Sequence, residues 1–394
     1  MSTLQQIMLF SLVTISLLSF LLFIFSSNNL HLHHHHYHFP PLSNSFPPPP
    51  KLAYFISGSN NDGPRIFRLL QAIYHPRNYY LLHLDQLASN KQRDQLAGMV
   101  GSVQIFVEVG NVHVVKKADY VNEEGSSPLS SVLHGAAVLL RWKNDWDWFI
   151  NLAASDYPLI PQDDFLHVLS FLPRELNFME TNTSKEYQRT LEVIVDPRLY
   201  LRSAGNMFTG DQTREFPKLF TFFAGSPHVI LTREFLKYVI LGWENFPRTL
   251  LLYFSNTRLS HKAYFQTLAH NSQFSRGVIN SNLRITYCNA SSTKSSYNFI
   301  RPLDIGKMLS SGAAFAEKIP VGDPILDMID SVALNRGRGV IAPGAWCLGR
   351  AWDGSVSCSQ WGDTDILRPG PGAKRFEKLL LGLIGSASSK LSLL

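Results

Sequence analysis

The chain has 394 residues, 45% of them hydrophobic and 17% charged, which is enough to bury a full core in one large domain or two modest ones. Its 36 basic and 30 acidic residues give a net charge of +6, and the basic residues are spread along the chain rather than clustered. This balance describes a globular protein with an apolar extra segment, and it argues against a nucleic-acid partner.

The apolar extra segment is Ile7–Phe25, which contains no charged residue. A helix of about 20 apolar residues is long enough to cross a bilayer. A cleavable signal peptide is the alternative, but this run exceeds the roughly 7–15 apolar residues of such a peptide, and no clear Ala-x-Ala site follows. The sequence therefore predicts a single retained transmembrane helix after a short tail, residues 1–6.

Residues 26–50 are of low complexity, with a histidine run at His33–His36 and a proline run at Pro47–Pro50. Prolines favour an extended spacer, and such a composition cannot build a core. The histidines could bind a metal, but no partner ligands flank them, so a solvated stem is the favoured interpretation. We expect one folded domain over residues 51–380 and a C-terminal tail over residues 381–394.

Apolar strand patterns alternate with helical patterns after the stem. Strands are predicted at Leu52–Ser57, Tyr79–Leu84, Val103–Val109 and Trp148–Leu152, and helices at Pro64–Ile73, Ser130–Trp142 and Gln162–Leu172. Alternation of this kind is typical of an α/β fold with a mainly parallel sheet and helices on both faces.

A further strand and helix follow later in the chain. The run His228–Leu231 is β-branched and apolar, which predicts a strand, and Thr232 is placed to cap a helix over Arg233–Leu241. Gly242 is expected to end that helix.

Ser260 resembles a second N-cap, with a helix predicted through Ala269. His261 and Lys262 would then lie in its first turn. Because a helix N-terminus favours anions by about 0.3–1 kcal/mol, a lysine there is either turned to solvent or directed at an anionic group.

Several motifs, in order, resemble the plant branch of the core-2/I-branching β-1,6-N-acetylglucosaminyltransferase family, which includes plant β-glucuronosyltransferases. The resemblance extends over Leu52–Leu380. The motifs are Asn144–Leu152, Ser155–Leu159, Lys185–Arg189, Thr221–Phe235, Gly242–Arg248, Ala263–Thr267, Ala313–Lys318, Asp323–Asp330, Pro343–Cys347 and Leu367–Arg375.

The resemblance implies a nucleotide-sugar transferase fold of the GT-A type with a lumenal catalytic body. A single-pass type II protein of the Golgi membrane is the expected location. The donor would be UDP-GlcNAc or UDP-glucuronic acid, and the acceptor a galactose-bearing glycan such as an arabinogalactan. The implied reaction inverts the anomeric carbon and requires no metal ion.

The implied donor site combines strand-end residues with cations. Ile56, Ser57 and Asp85 lie at the ends of the first two predicted strands, where α/β sheets bind ligands. Lys318 aligns with a lysine that the family uses in place of a metal, and Arg301 is a weaker second cation. The alternatives are a turn role for Asp85, a core position for Ile56 and a solvated surface position for Lys318.

The implied acceptor site rests on Glu180, Lys185 and Arg189, which match family positions that bind acceptor hydroxyls. Charged groups of this kind orient sugar hydroxyls through hydrogen bonds. Trp243 could stack on a sugar face, although a tryptophan at helical spacing is more often a core residue.

The family's general base is a glutamate in Ser-Pro-Glu-Gly-Tyr-Phe, and here Ser260–Phe265 carries Lys262 at that position. A lysine with an ordinary pKa of about 10.4 is protonated at neutral pH and cannot accept a proton. His261 is the adjacent candidate, with an ordinary pKa of about 6.5, but its side chain leaves a helix about 100° away from that of Lys262. Asp156 and Glu244 are further candidates without positional support.

Two functions follow. The first is an active, membrane-anchored glycosyltransferase with a relocated base. The second is a catalytically impaired relative that binds glycans or nucleotide sugars, or serves as a scaffold in a transferase complex. Lys262 favours the second, whereas the retained binding positions favour the first.

The motif Asp145-Trp146-Asp147 resembles the Asp-x-Asp metal site of other transferases. Two carboxylates at this spacing could hold Mg²⁺ with substrate phosphates. Because the motif is short and precedes a buried strand, a structural role is the favoured interpretation, and no metal cofactor is expected.

Cysteines and sequons complete the sequence analysis. Cys347 and Cys358 would form a disulfide in an oxidising lumen, against the alternative of two free thiols, and Cys288 would remain unpaired. Asn182 and Asn289 begin glycosylation sequons that are usable only in the lumen.

Overall fold

The structure is a computed structural model that describes residues 47–182, 191–197, 206–215, 217, 219–287, 299–300, 305–348, 358 and 360–391. The predicted anchor and most of the stem lie outside the described residues. So do five residues named above, which are Lys185, Arg189, Cys288, Asn289 and Arg301. Within the described ranges, no helix combines the length and hydropathy needed to span a bilayer. Contacts group Pro48–Leu394 as one compact unit.

Thirteen strands and eleven α-helices are described. The strands are β1 Leu52–Gly58, β2 Tyr79–Leu84, β3 Val112–Val114, β4 Trp148–Ala153, β5 Tyr157–Pro158, β6 Asn177–Met179, β7 Leu191–Val195, β8 Phe208–Arg214, β9 Val229–Thr232, β10 Val278–Ile279, β11 Arg284–Tyr287, β12 Phe299–Ile300 and β13 Phe315–Glu317. The helices are α1 Gly63–Ile73, α2 Asn90–Gly101, α3 Gln104–Val109, α4 Ser127–Trp142, α5 Gln162–Ser170, α6 Arg233–Leu241, α7 Asn245–Phe254, α8 Tyr264–His270, α9 Ile305–Ser310, α10 Ile325–Val332 and α11 Pro371–Leu391.

A seven-stranded sheet forms the centre, in the order β10-β6-β9-β4-β1-β2-β3. Only β9 runs antiparallel to its neighbours, and all other pairings in this sheet are parallel. A four-stranded sheet, β12-β11-β13-β5, lies beside it, and β7 and β8 form a separate hairpin. The predicted α/β fold with a mainly parallel central sheet is confirmed.

Strand β1 is buried on both faces because helices cover both sides of the sheet. Its residues Leu52, Ala53, Tyr54, Phe55 and Ile56 are each at most 2% exposed. Leu52, Tyr54 and Ile56 pack into one apolar cluster, whereas Ala53 and Phe55 pack into the other, with α4. This alternation follows from the two-residue repeat of a strand. A near-continuous apolar run is what a strand between two helix layers requires.

Local signals place several helices as predicted. Pro64 lies in the first turn of α1. The Thr232 hydroxyl accepts a hydrogen bond from the Phe235 N–H at 3.1 Å, which caps α6. Gly242 ends α6 in an extended conformation, where a Cβ atom would lie 2.3 Å from the Tyr238 carbonyl oxygen. Gly242 is therefore required by lack of space rather than by an unusual φ angle.

The predicted strand Val103–Val109 is wrong, because this segment forms α3 and the third strand is Val112–Val114. Gly110 ends the helix in the left-handed conformation, with a φ of +63°, which glycine adopts without a steric penalty. A short apolar run fits a buried helical turn as well as a strand, and periodicity alone does not separate the two.

The predicted helix from Ser260 to Ala269 is wrong at its start. Ser260–Lys262 form a separate 3₁₀ turn, Ser260 makes no side-chain cap, and α8 begins only at Tyr264. Leu259 precedes the turn with a φ of +54°. Lys262 therefore lies in a tight turn ahead of the helix and not in its first turn.

Two buried carboxylates in the first turn of α5 attach the C-terminal segment to the body. Asp163 accepts backbone N–H groups from Ala345 at 2.8 Å and Arg368 at 2.9 Å. Asp164 accepts the Ala373 N–H at 3.0 Å. These bonds fix the start of α11, which continues past the predicted domain end at residue 380.

The predicted disulfide between Cys347 and Cys358 is formed. The two cysteines are separated by 11 positions in the sequence, so the disulfide closes a short loop. Backbone pairing between Cys347 and Trp361 lies beside it. The disulfide therefore joins two parts of the C-terminal segment that already lie together.

Candidate active site

The candidate donor residues Ile56, Ser57 and Asp85 lie at the carboxyl ends of β1 and β2. Asp85 is 3% exposed, and its Oδ1 accepts hydrogen bonds from the Ser59 hydroxyl and the Leu87 N–H, both at 3.0 Å. Burial raises the pKa of Asp85, and these hydrogen bonds oppose that shift. Ser57 is half-buried at the same edge, whereas the Ile56 side chain is fully buried in the core, so only the Ile56 backbone could contact a ligand.

Four polar residues form what we call the buried polar cluster: Asp156, His228, Arg284 and Glu317. The Arg284 guanidinium donates to Asp156 Oδ2 at 3.1 Å and to the Asn151 carbonyl at 2.6 Å, and both members of this ion pair have side chains 1% exposed. His228 lies between two carboxylates, with Nδ1 3.8 Å from Asp156 Oδ2 and Nε2 3.8 Å from Glu317 Oε2. The cluster thus joins the ends of β4 and β13 to the starts of β9 and β11.

Burial sets the protonation of the buried polar cluster. It raises the pKa of Asp156 to about 6, a shift that the nearby Arg284 charge opposes. Burial also lowers the pKa of His228 well below its ordinary value, and the positive charges of Arg284 and Lys318 lower it further. The His228 ring is therefore uncharged at neutral pH.

Lys318 lies at the mouth of this region, directly after Glu317. It is exposed and has a φ of +63°, a left-handed conformation that is uncommon for a lysine. The next residue, Ile319, donates its N–H to the Ser155 carbonyl at 3.0 Å and accepts a hydrogen bond from Arg65 at 2.8 Å. These contacts hold Lys318 beside the end of β4, within electrostatic reach of His228.

Lys262, at the family base position, is fixed by hydrogen bonds of its backbone. The Lys262 carbonyl accepts a hydrogen bond from the Gly225 N–H at 2.8 Å, and the Lys262 N–H donates to the Leu259 carbonyl at 3.0 Å. Lys262 is half-buried. His261 is 6% exposed, and burial lowers its pKa to about 4, helped by the Lys262 charge. His261 is therefore a neutral, buried ring, while the Lys262 backbone is bonded to Gly225, which lies on the loop that leads to His228.

Glu180 follows β6 and lies against the same loop. A Cβ atom on Gly225 would come within 1.9 Å of the Glu180 carbonyl oxygen. Glu180 and Lys262 are therefore both in contact with Gly225. Asn182 is exposed, and its side-chain amide donates to Glu180 Oε1 at 3.3 Å.

Trp243 lies just beyond the end of α6 and is 94% exposed. The core alternative for this tryptophan is therefore wrong. Its ring presents an open aromatic face of the kind that sugars stack on.

The Asp-x-Asp carboxylates lie at the opposite edge of the sheet, where β1 and β4 begin. Asp145 pairs with the Lys51 ammonium and accepts a hydrogen bond from the Tyr79 hydroxyl at 2.8 Å. Asp147 Oδ2 accepts the Lys51 N–H at 2.9 Å. These contacts give the pair the structural role that was favoured. In the part of the chain that the structure describes, no group of three or more His, Cys, Asp or Glu residues is placed to hold a metal ion.

A separate groove of about 550 Å³ lies between α4 and the α6–α7 pair. Its lining includes Leu133, Ile240 and Leu251. None of the described residues assigned to donor, acceptor or base lines it. The groove is thus distinct from the strand-end region.

Sequence reasoning missed three members of the buried polar cluster, which are His228, Arg284 and Glu317. One of them, Glu317, carries the signal that singled out Asp85, a polar residue at the end of an apolar strand. His228 precedes β9, whose reversed direction brings its start to the edge where parallel strands end. That reversal is not readable from the pattern of one strand.

Comparisons with known proteins identify the family of the chain. The family model for the Core-2/I-Branching enzyme matches residues 52–309. The β-glucuronosyltransferase GlcAT14A of Arabidopsis thaliana is 44% identical over 348 residues, which cover 87% of this chain and 77% of that protein. GlcAT14B of the same plant is 43% identical over 341 residues, covering 85% and 78%. These relatives place the protein among enzymes that transfer sugars.

The chain belongs to the Core-2/I-branching enzyme family, as its motifs predicted. Among solved structures, the galactosyltransferase LgtC in complex with donor and acceptor sugar analogues is 12% identical, covering 84% of this chain and 96% of that one at a TM-score of 0.31.

Proposed function

We propose that the protein is an inverting glycosyltransferase of the GT-A type that moves glucuronic acid, or alternatively GlcNAc, from a UDP-sugar to a galactose-bearing glycan such as an arabinogalactan. It acts without a metal ion and is held in the Golgi membrane as a type II protein. The observation that carries the proposal is the match to plant β-glucuronosyltransferases over 87% of the chain. Their names favour glucuronic acid over GlcNAc.

Strand-end geometry supports this reaction. Ser57 and Asp85 line the edge of a parallel sheet that receives nucleotides in α/β folds. Lys318 supplies a positive charge near the end of β4, where it can stabilise the departing diphosphate. The acceptor hydroxyl oxygen attacks the anomeric carbon, the bond from that carbon to the diphosphate oxygen breaks, and UDP leaves with the electron pair. The hydroxyl proton passes to a base on the protein.

Acceptor-dependent release of UDP tests the proposal. The full-length chain, purified in detergent, would be given UDP-glucuronic acid or UDP-GlcNAc with a β-galactan, in the presence of EDTA. Release that requires the galactan and resists EDTA supports a metal-independent transferase, and the faster donor identifies the sugar. If EDTA stops the release of UDP, the reaction requires a metal ion, and only the metal-independent part of the proposal is wrong.

A second function is favoured by one observation, the lysine at the family base position. A catalytically impaired family member would bind glycans or nucleotide sugars, or act as a scaffold in a transferase complex. Its signature is UDP binding without turnover, together with a gain of turnover in Lys262→Glu, since the loss of a general base costs roughly 10²–10⁴-fold. A wild-type chain that already turns over excludes this function.

A further inference from the structure

The buried polar cluster contains hydrogen-bonding capacity that the folded chain leaves unused. Among the described residues, Asp156 Oδ1, His228 Nδ1 and Glu317 Oε2 are buried without a hydrogen-bond partner. Unpaired buried polar atoms are rare in folded proteins, because each costs about 1–3 kcal/mol. The His228 imidazole and the two carboxylates beside it thus each carry one unpaired atom, and the ring, 18% exposed, is the member of the three that a ligand can reach most readily.

The backbone on both sides of His228 is fixed by side-chain amides. Asn151 donates to the Pro227 carbonyl at 3.0 Å and accepts the Val229 N–H at 2.8 Å. The preceding Ser226 carbonyl accepts a hydrogen bond from Gln266 at 2.6 Å. The imidazole is thus carried on a rigid segment, which is what a catalytic group requires for accurate positioning.

His228 also lies between the two positions that matter for transfer. On one side is Glu317. Its sequence neighbour Lys318 is the candidate cation that stabilises the leaving diphosphate. On the other side the loop runs back three residues to Gly225, whose N–H is bonded to the Lys262 carbonyl. The His228 side chain is 18% exposed, so one part of the ring is open to a ligand. A group at this place is near both the reacting bond and the family base position.

We propose that His228 is the general base of this enzyme, with Asp156 and Glu317 as the carboxylates that orient it and stabilise its charged form. The inference rests on the proposed transferase function. In this proposal the ring moves so that Nδ1–H donates to Asp156 Oδ2, which is 3.8 Å away in the structure. Nε2 takes the proton of the acceptor hydroxyl as its oxygen bonds to the anomeric carbon and UDP departs with the electron pair. The resulting imidazolium is then paired on both sides, by Asp156 at Nδ1 and by Glu317 at Nε2.

The charges around the ring fit this role. Burial, together with the cations Arg284 and Lys318, lowers the pKa of His228, so the ring is neutral and can accept a proton. A bound diphosphate offsets the Lys318 charge and so removes one of the causes that lower this pKa. Asp156 is 1% exposed and cannot contact substrate, so it acts as a positioning residue through His228. His261, the other nearby histidine, is neutral and buried.

The test compares His228→Asn with wild type in the full-length chain, measuring kcat, donor KM and UDP affinity. We expect kcat to fall roughly 10²–10⁴-fold while UDP affinity stays within about threefold. His134→Asn is the matched control, because His134 is an exposed histidine whose Nδ1 lies 2.7 Å from the Asp119 carboxylate. We expect it to retain wild-type kcat.

A double variant distinguishes the loss of a proton acceptor from a loss of kcat caused by a disturbed structure. Lys262→Glu restores a carboxylate at the family base position, so His228→Asn combined with Lys262→Glu is expected to regain at least about tenfold in kcat over His228→Asn alone. A kcat within about threefold of wild type in His228→Asn overturns the inference while leaving the transferase function intact. No turnover by the wild-type chain overturns the proposed function, and this inference with it.

Discussion

The Gly225 N–H donates to the Lys262 carbonyl at 2.8 Å, while the Gly225 α-carbon is pressed against the Glu180 carbonyl. One glycine therefore sets the distance between the acceptor candidate at the end of β6 and the family base position. The same loop continues into His228. The geometry of the proposed site depends on the absence of a side chain at residue 225.

Gly225→Ala is expected to destabilise the protein and to reduce transfer. Its Cβ atom would lie 1.9 Å from the Glu180 carbonyl oxygen, so the backbone must move, at a typical cost of about 1–3 kcal/mol for overpacking. Thermal unfolding and kcat together measure the effect. Gly98→Ala is the control, since Gly98 lies inside α2 with no atom within 4 Å of a new Cβ. That change should stabilise by about 0.5–1 kcal/mol, and equal losses in both variants would contradict the prediction.

Lys318 is expected to act through its charge. Lys318→Ala should lower kcat by roughly 10²–10³-fold, because the departing diphosphate loses its cation, whereas Lys318→Arg should retain most of the rate. Steady-state kinetics with the preferred UDP-sugar measure both. Lys237→Ala removes a surface lysine paired with Glu234 on α6 and serves as the control. Similar rates for Lys318→Ala and Lys237→Ala would refute a role in departure of the leaving group.

Stability is expected to fall in acid because of His261. In the unfolded chain a histidine takes up a proton near pH 6.5, whereas burial holds the pKa of folded His261 at about 4. Between those values only the unfolded chain binds the proton, so the free energy of unfolding decreases by up to about 3 kcal/mol as the pH drops.

The variant His261→Gln should lack this contribution. Urea unfolding of wild type and variant at about pH 7.5 and about pH 5 gives the comparison, and the wild-type advantage should shrink at the lower pH. A difference that is the same at both pH values would show that His261 is not the source.

Loss of the Cys347–Cys358 disulfide should cost about 2–3 kcal/mol, the range expected for a short closed loop. Chemical unfolding with and without a thiol reductant measures this in the wild type. A variant with both cysteines changed to serine should start at the lower stability and show no further response to reductant. If the reductant destabilises wild type and double variant equally, its effect comes from elsewhere in the chain.

The fold was largely predictable because its central strands have a simple signature. β1, β2 and β4 are mainly apolar runs, and Asp85 directly follows β2 at the carboxyl edge of the sheet, as predicted. The segment 103–109 was misassigned because a six-residue helix and a buried strand share the same apolar pattern. The one local signal that favours a helix over a strand here is Gly110, which ends the helix.

The candidate site was only partly predictable, for a topological reason. Asp156 was named as a base candidate without positional support, and only the fold brings Arg284 to 3.1 Å from it across 128 residues of sequence separation. Contacts over such distances depend on how strands are ordered, which no local pattern contains. The predicted N-cap at Ser260 was wrong for a local reason. Leu259 adopts a positive φ, which is uncommon for leucine and cannot be predicted from its presence in the sequence.

Because β9 runs opposite to the other strands of its sheet, two separate parts of the sequence form the edge where the proposed site lies. One part, at β1 and β2, is made by residues that follow strands, whereas the other, at β9, is made by residues that precede one. The two are far apart in sequence and anchored by different hydrogen bonds. Under the proposed function, a lineage could therefore exchange its proton acceptor through the loop before β9 while its recognition of the nucleotide stayed unchanged.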